Sequence, residues 1–168
     1  CGVGIAIAGW QGGKGASAAS CTLGRDGKLS VHVGAVDMTG TSTTFALLAA
    51  EVFDIEPDDV RVVVGDSTTA PFSGASAGSK ITYSVGPAVV QAAKEARKQT
   101  LEIAADEFEV DVADLYIEDG SIYVRGVPNR QITLKQIGAQ TMSIGTEYAP
   151  VFGQGRHANT TQAPVFCA

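Results

Sequence analysis

Two loops in this chain have the composition for chemistry done by the main chain. One is GAVDMTGTSTT at 34–44 and the other is APFSGASAGSK at 70–80. Eight of the eleven residues in the second are Gly, Ala or Ser, so neither a core nor a side-chain acid–base site can be built from it. Such residues let a ligand approach the backbone closely, and Ser and Thr hydroxyls add donors. Each loop follows a strand-like run and precedes a helix-like one. A helix N-terminus carries unpaired N–H groups and a partial positive charge, which together favour an anion. At this level two readings stand: a paired cradle for a large anionic ligand, or two flexible loops whose small residues only cap helices.

Other site chemistries fit less well. A phosphate-binding P-loop needs Gly-x-x-x-x-Gly-Lys-Ser/Thr. In GWQGGKGAS, Gly15 follows Lys14 and Ala8 stands where the first Gly belongs. In GASAGSKI, Ser79 precedes Lys80 and Ile81 follows it. No Gly-x-Gly-x-x-Gly follows a strand. A serine or cysteine hydrolase needs a positioned His, and only His32 and His157 are available. His32 lies between Val31 and Val33 on a strand and is expected on that strand's other face. Asp58/Asp59 and Asp106/Glu107 read as solvated helix ends. Cys1, Cys21 and Cys167 are odd in number and lack a Cys-x-x-Cys pair, which argues against a disulfide framework or a zinc site. Three thiols in a reducing, cytoplasmic setting is the expectation.

The elements that must position the loops follow from pattern. The chain has 168 residues, 45% hydrophobic and 18% charged, with 20 glycines and a net charge of −6. That length can bury a real core. No basic footprint exists for nucleic acid, and no apolar run is long enough to span a bilayer. A small apolar strand is expected at 2–8. Alternation around Asp26-Gly27 and around Asp119-Gly120 predicts two hairpins. A helix is expected from an N-cap at Thr41 or Ser42, with Phe45, Leu48, Ala49 and Val52 on one face and Pro57 beyond its end. VRVVV predicts a strand at 60–64, followed by a loop over 65–84. A second helix is expected with Pro87 in its first turn and Val89, Ala93, Ala96, Leu101, Ala104 and Phe108 on its core face. QITLKQIGAQ reads as a short strand entering a short helix, and the tail from 145 as irregular or edge strand. The expected class is α/β (α+β): a mixed sheet with hairpins and two main helices. The chain starts without Met and stops in an apolar run, so 1–168 is expected to be a piece of a longer polypeptide, cut at both ends.

From Gly34 to Arg97 the residues resemble a known family. The features, in order, are the acidic-Met pair Asp37-Met38 before a Gly/Thr loop, Ala49-Ala50-Glu51, DVRVVVGD at 59–66, Thr69-Ala70-Pro71, the small-residue loop, and GPAV at 86–89 opening a helix. This combination is similar to the molybdenum-cofactor-binding region of the xanthine dehydrogenase/aldehyde oxidase (molybdenum hydroxylase) family, and the resemblance extends over roughly 2–168.

The resemblance implies a large subunit that binds molybdopterin, in some members as the cytosine dinucleotide, and hydroxylates an aldehyde, purine or N-heterocycle carbon. It implies cofactor contacts from Met38, Thr39, Gly40 and Thr41 in the first loop. In the second, Ala77, Gly78, Ser79, Lys80 and Ile81 would lie against the cofactor through their backbone. Partners implied are the remainder of the molybdenum subunit, 2Fe-2S and FAD on other domains or subunits, and a small-molecule substrate. Two departures stand out. Thr39-Gly40-Thr41 replaces the Gly-Gln-Gly found in many members, and the family's glutamate base, in a Gly-x-Gly-Glu context, has no counterpart here. No catalytic residue and no protein metal ligand is therefore expected in this chain, which alone would be inactive. The alternative is a non-catalytic homologue or scaffold subunit that keeps the fold and binds no cofactor.

Overall fold

The computed structural model describes residues 1–6 and 12–160. The expected strand at 2–8 does not form over 1–6, where Val3 and Ile5 are 98% and 90% exposed, and residues 7 and 8 lie outside the described residues. Small apolar residues have β-propensity only when a neighbouring strand and a packed face complete them, and 1–6 have neither among the described residues. Cys167 and the rest of 161–168 also lie outside them.

The first hairpin joins β1 (Gly15–Leu23) to β2 (Leu29–Val33), antiparallel, with Leu23 opposite Leu29. Its inward positions are those the alternation predicts: Cys21, Leu23, Leu29, Val31 and Val33 are fully buried. Burial pushes the Cys21 thiol up to about 12, which leaves it an inert core residue. β2 leads through α1 (Thr41–Phe53) to β3 (Val60–Val64), which pairs parallel to β2 with Val33 opposite Val64. Parallel neighbours need such a crossover, and α1 supplies it. Phe45 and Phe53 of α1 are fully buried, each contributing about 2–3 kcal/mol of apolar burial.

α2 (Ile81–Phe108) runs 28 residues and begins six residues before Pro87. Proline was expected in the first turn and sits instead inside the helix. The reason is burial: Ile81, Ser84 and Val85 all enter the core ahead of it, and Ser84 Oγ bonds the Lys80 carbonyl at 2.8 Å. These contacts offset the lost hydrogen bond, a penalty of about 3 kcal/mol in an exposed helix interior. The predicted face is buried at Val89, Ala93, Ala96, Leu101 and Ala104, with Phe108 packed at its margin.

The second hairpin is β4 (Leu115–Glu118) and β5 (Ser121–Val124). Asp119 and Gly120 both take positive φ, 45° and 72°, as a two-residue hairpin turn requires. β6 (Val127–Thr133) completes a three-stranded sheet, and α3 (Leu134–Thr141) follows with a full capping box from Thr133 and Gln136. β7 (Phe152–Asn159) returns to the first sheet as its edge, giving the order β3-β2-β1-β7. The helices thus serve two sheets, a mixed four-stranded one and an antiparallel three-stranded one, where the pattern suggested one open sheet.

α2 lies directly on β7 and β1. A Cβ added at Gly155 would meet the Ala88 carbonyl oxygen at 1.9 Å, and one at Gly153 the Ala92 carbonyl oxygen at 2.1 Å. Two glutamines complete the contact. Gln99 donates to the Phe152 carbonyl at 3.0 Å and accepts from its N–H at 2.9 Å, while Gln91 accepts from the Arg156 N–H at 3.2 Å. Eight helical residues rise about 12 Å and four strand residues about 13 Å, so the two elements stay in step. The helix side chains thereby occupy backbone groups that an edge strand would leave open.

Gly155→Ala forces helix and strand apart and is expected to cost about 3 kcal/mol, lowering Tm by roughly 6–12 °C. A thermal melt of the variant showing no change would contradict this close seat.

Candidate functional site

Both loops leave the carboxyl ends of adjacent parallel strands, β2 and β3, and enter the N-termini of α1 and α2. In open α/β sheets this is where ligands bind. The loops touch at their bases, where a Cβ at Gly34 would lie 2.2 Å from the Pro71 carbonyl oxygen.

The two helix termini differ. At α1 the N-cap is Gly40, φ 80°, rather than Thr41 or Ser42. The capping oxygen comes from Asp37, whose Oδ1 accepts from the Ser42 N–H and the Thr41 hydroxyl, both at 3.0 Å. These bonds, the Ser42 N–H first, hold the Asp37 carboxyl below its ordinary range. The sequence left both termini open to an anion; the α1 terminus already has a carboxylate of its own. Met38 is 57% exposed beside it, and the Thr39 hydroxyl turns back to the Met38 carbonyl at 2.6 Å. A Cβ at Gly40 would meet nothing within 4 Å, so the loop's crest is open.

At α2 no side chain caps the terminus, whose N-cap is Lys80. Gly78 and Ser79 both adopt left-handed backbone, φ 63° and 52°. Ala77 and Ser79 are exposed, whereas the Ile81 side chain is 8% exposed and belongs to the core. Ile81 therefore offers the site its main chain alone. Ser76 carries a signal that composition did not single out: its Oγ is buried and is, among the described residues, the one buried side-chain polar atom with no hydrogen-bond partner. Native structures rarely leave such an atom orphaned. Gly74–Gly78 also spell the Gly-x-Ser-x-Gly of a nucleophile elbow. Ser76 lies in an irregular loop five residues before the helix rather than on a strand-to-helix turn, and its Oγ bonds no base among the described residues.

The base of the second loop is ordered by Asp66. Its carboxylate accepts from the hydroxyls and N–H groups of Thr68 and Thr69. The Thr68 hydroxyl, then the Thr68 N–H, pull its carboxyl down to about 2. Beside this base opens a concavity of about 950 Å³ on the sheet's outer face, bordered by Gly65, Thr69, Pro71, His32 and Phe152. His32 lies on the outer face, as the alternation predicts. None of residues 77–81 borders this hollow. Asp59 pairs with Lys28 at 2.8 Å, while Asp106 and Glu107 accept from the Tyr148 hydroxyl, so three of these four acids are tied rather than merely solvated.

The class defined by this geometry is a mixed α/β domain with two strand–loop–helix units leaving adjacent parallel strands. A family described as the molybdopterin cofactor-binding domain matches residues 1–168, and the chain belongs to it. It is 32% identical over 98 residues to the carbon monoxide dehydrogenase large chain of Afipia carboxidovorans, covering 58% of this chain and 12% of that protein. It is 32% identical over 136 residues to the probable hypoxanthine oxidase XdhD of Escherichia coli, covering 80% of this chain and 14% of that one. The chain thus spans about a seventh or less of these relatives. Its fold matches that of a Cu,Mo-CO dehydrogenase with a TM-score of 0.75 at 23% identity, covering 87% of this chain and 19% of that one. The quinoline 2-oxidoreductase of Pseudomonas putida 86 matches with a TM-score of 0.73 at 22% identity, covering 88% and 19%. The mixed α/β fold and the resemblance to the molybdenum hydroxylases both hold.

A carboxyl held low stabilises above its unfolded pKa and loses that contribution as pH falls through the folded value. Protection of the Thr68 and Thr69 amides should therefore be constant above pH about 4 and lost toward pH about 2. Asp66→Ala should abolish it at every pH, and amide hydrogen exchange with unchanged protection in that variant would contradict the assignment.

Proposed function

We propose that this chain forms one wall of the molybdenum-cofactor site in the large subunit of a cytoplasmic molybdenum hydroxylase, an oxidoreductase acting on a carbon of an aldehyde, purine or N-heterocycle. The observation that carries this reading is the uncapped α2 terminus together with the orphaned Ser76 Oγ in the loop that leads into it. An anionic pterin fits both, since each wants an acceptor that the protein does not provide. Ala77, Gly78, Ser79 and the N–H groups of Lys80 and Ile81 would hold the cofactor through the main chain. Met38, Thr39, Gly40 and Thr41 would face its other side. With Asp37 at their base, those four residues suit a neutral part of the cofactor better than a phosphate.

When bound, the cofactor supplies the redox chemistry of its molybdenum. This chain would orient the cofactor and exclude water from one side of it. Proton transfer would fall to a base outside residues 1–168, so the isolated chain would not turn over substrate. The remainder of the molybdenum subunit, and 2Fe-2S and FAD on other domains or subunits, would complete the electron path. The cytosine dinucleotide form of the cofactor is compatible with a cradle this open.

Ser76→Ala separates the proposed role from a structural one. Removing an unsatisfied buried hydroxyl should stabilise the cofactor-free protein by about 1 kcal/mol. The same change should lower the pterin and molybdenum content of the full-length protein. Oxidised pterin fluorescence and elemental analysis read the content, and full-length wild-type protein without pterin would sink the proposal.

A further inference from the structure

Lys80 has the only long charged side chain in the 70–80 loop, and that side chain is folded back onto the loop. Its ammonium donates to the Ser73 carbonyl at 2.9 Å. Its stem passes over Gly15 and its ammonium lies beside Gly74. A Cβ at Gly15 would meet Lys80 Nζ at 3.1 Å and Cδ at 3.2 Å, and a Cβ at Gly74 would meet Nζ at 3.0 Å. Glycines from two separate segments thus form a slot that fits the end of the lysine side chain.

The slot sits within a seam joining the loop to the start of β1. The Gly13 N–H donates to the Gly78 carbonyl at 2.8 Å, and the Ala18 N–H to the Phe72 carbonyl at 2.7 Å. Ser17 Oγ reaches the Ser73 carbonyl at 3.5 Å, and both serines are buried. Ser79 holds φ 52°, a conformation that costs a non-glycine residue about 1–2 kcal/mol and persists only where its surroundings enforce it.

Resting on the proposed function, we infer that Lys80 is a positioning residue. Its side chain locks the loop to β1 through the Gly15–Gly74 slot and the Ser73 carbonyl, and so presents the main chain of 77–81 to the anionic cofactor without touching it. A lysine beside an anion site ordinarily acts as a point charge on the ligand. Here its donor is directed to a carbonyl of its own loop. Lysine loses rotamer freedom when held this way, and the held loop is the structural return.

Lys80→Met in the full-length protein keeps the stem and removes the donor. Hydrogen exchange by mass spectrometry on cofactor-free protein should quicken about tenfold in peptides covering 12–18 and 72–80, the effect of one charge-assisted bond. Exchange in 115–133 should not change. Pterin content of the loaded protein should fall in parallel. Lys80→Gln, which restores a neutral donor, should lie between wild type and Lys80→Met in both readouts; it also serves as the test if Lys80→Met does not fold. Unchanged exchange with lost pterin would make Lys80 a direct ligand and overturn the inference. Faster exchange with full pterin would overturn it too, as would no change in either. A wild-type protein lacking pterin contradicts the proposed function instead, and exchange on the cofactor-free protein then decides the locking role alone.

Discussion

The seat of α2 on β7 is the constraint from which the rest of the architecture follows. Gly153 and Gly155 present bare backbone to Ala88, Ala92 and Ala96, and no side chain fits between. Two elements this close have little freedom to slide, and Gln91 and Gln99 fix their register from the side. A 28-residue helix held over its middle projects its N-terminus to a defined place, at the carboxyl ends of β2 and β3. The cradle is therefore a consequence of small residues packed some distance from it. Leu48 of α1 approaches α2 at Gly86, extending the same logic to the neighbouring helix.

The two loops have the same framing but different chemistry. At α1, Asp37 supplies an acceptor to Ser42 and Thr41 and places negative charge at the helix start. At α2, the terminus carries no side-chain cap, and a buried hydroxyl in the loop that leads into it lacks a partner. The paired anion cradle suggested by composition becomes one anion-seeking loop and one loop already served. Under the proposed function this asymmetry would orient an anionic cofactor, with its charged part toward 76–81 and its less polar part toward 38–41.

Local patterns carried much of the fold. Both Asp-Gly hairpins form where alternation placed them, as do the strand at 60–64, the strand-to-helix step at 133–134 and the core face of α2. What escaped the sequence depends on partners distant in the chain. Pro87 lies inside α2 because Ile81 and Val85 find a core that no local rule reveals. The tail read as irregular or edge strand, and an edge strand forms, but the reason for its glycines is the helix about sixty residues earlier. Within the site, small-residue composition marked the second loop as a candidate for close approach. It could not separate Ser76, which is orphaned, from Ser73, which is bonded, or show that Lys80 folds back onto the loop. Nor could it show Asp37 reaching forward to cap α1, since Thr41 and Ser42 have the composition of caps themselves.

The most direct test of this account is a structure of the full-length protein with its pterin bound. The account predicts cofactor oxygen or nitrogen acceptors within hydrogen-bond distance of main-chain N–H groups in 77–81, and a partner for Ser76 Oγ. A cofactor bound elsewhere, with 77–81 covered by protein and Ser76 still unpaired, would contradict it.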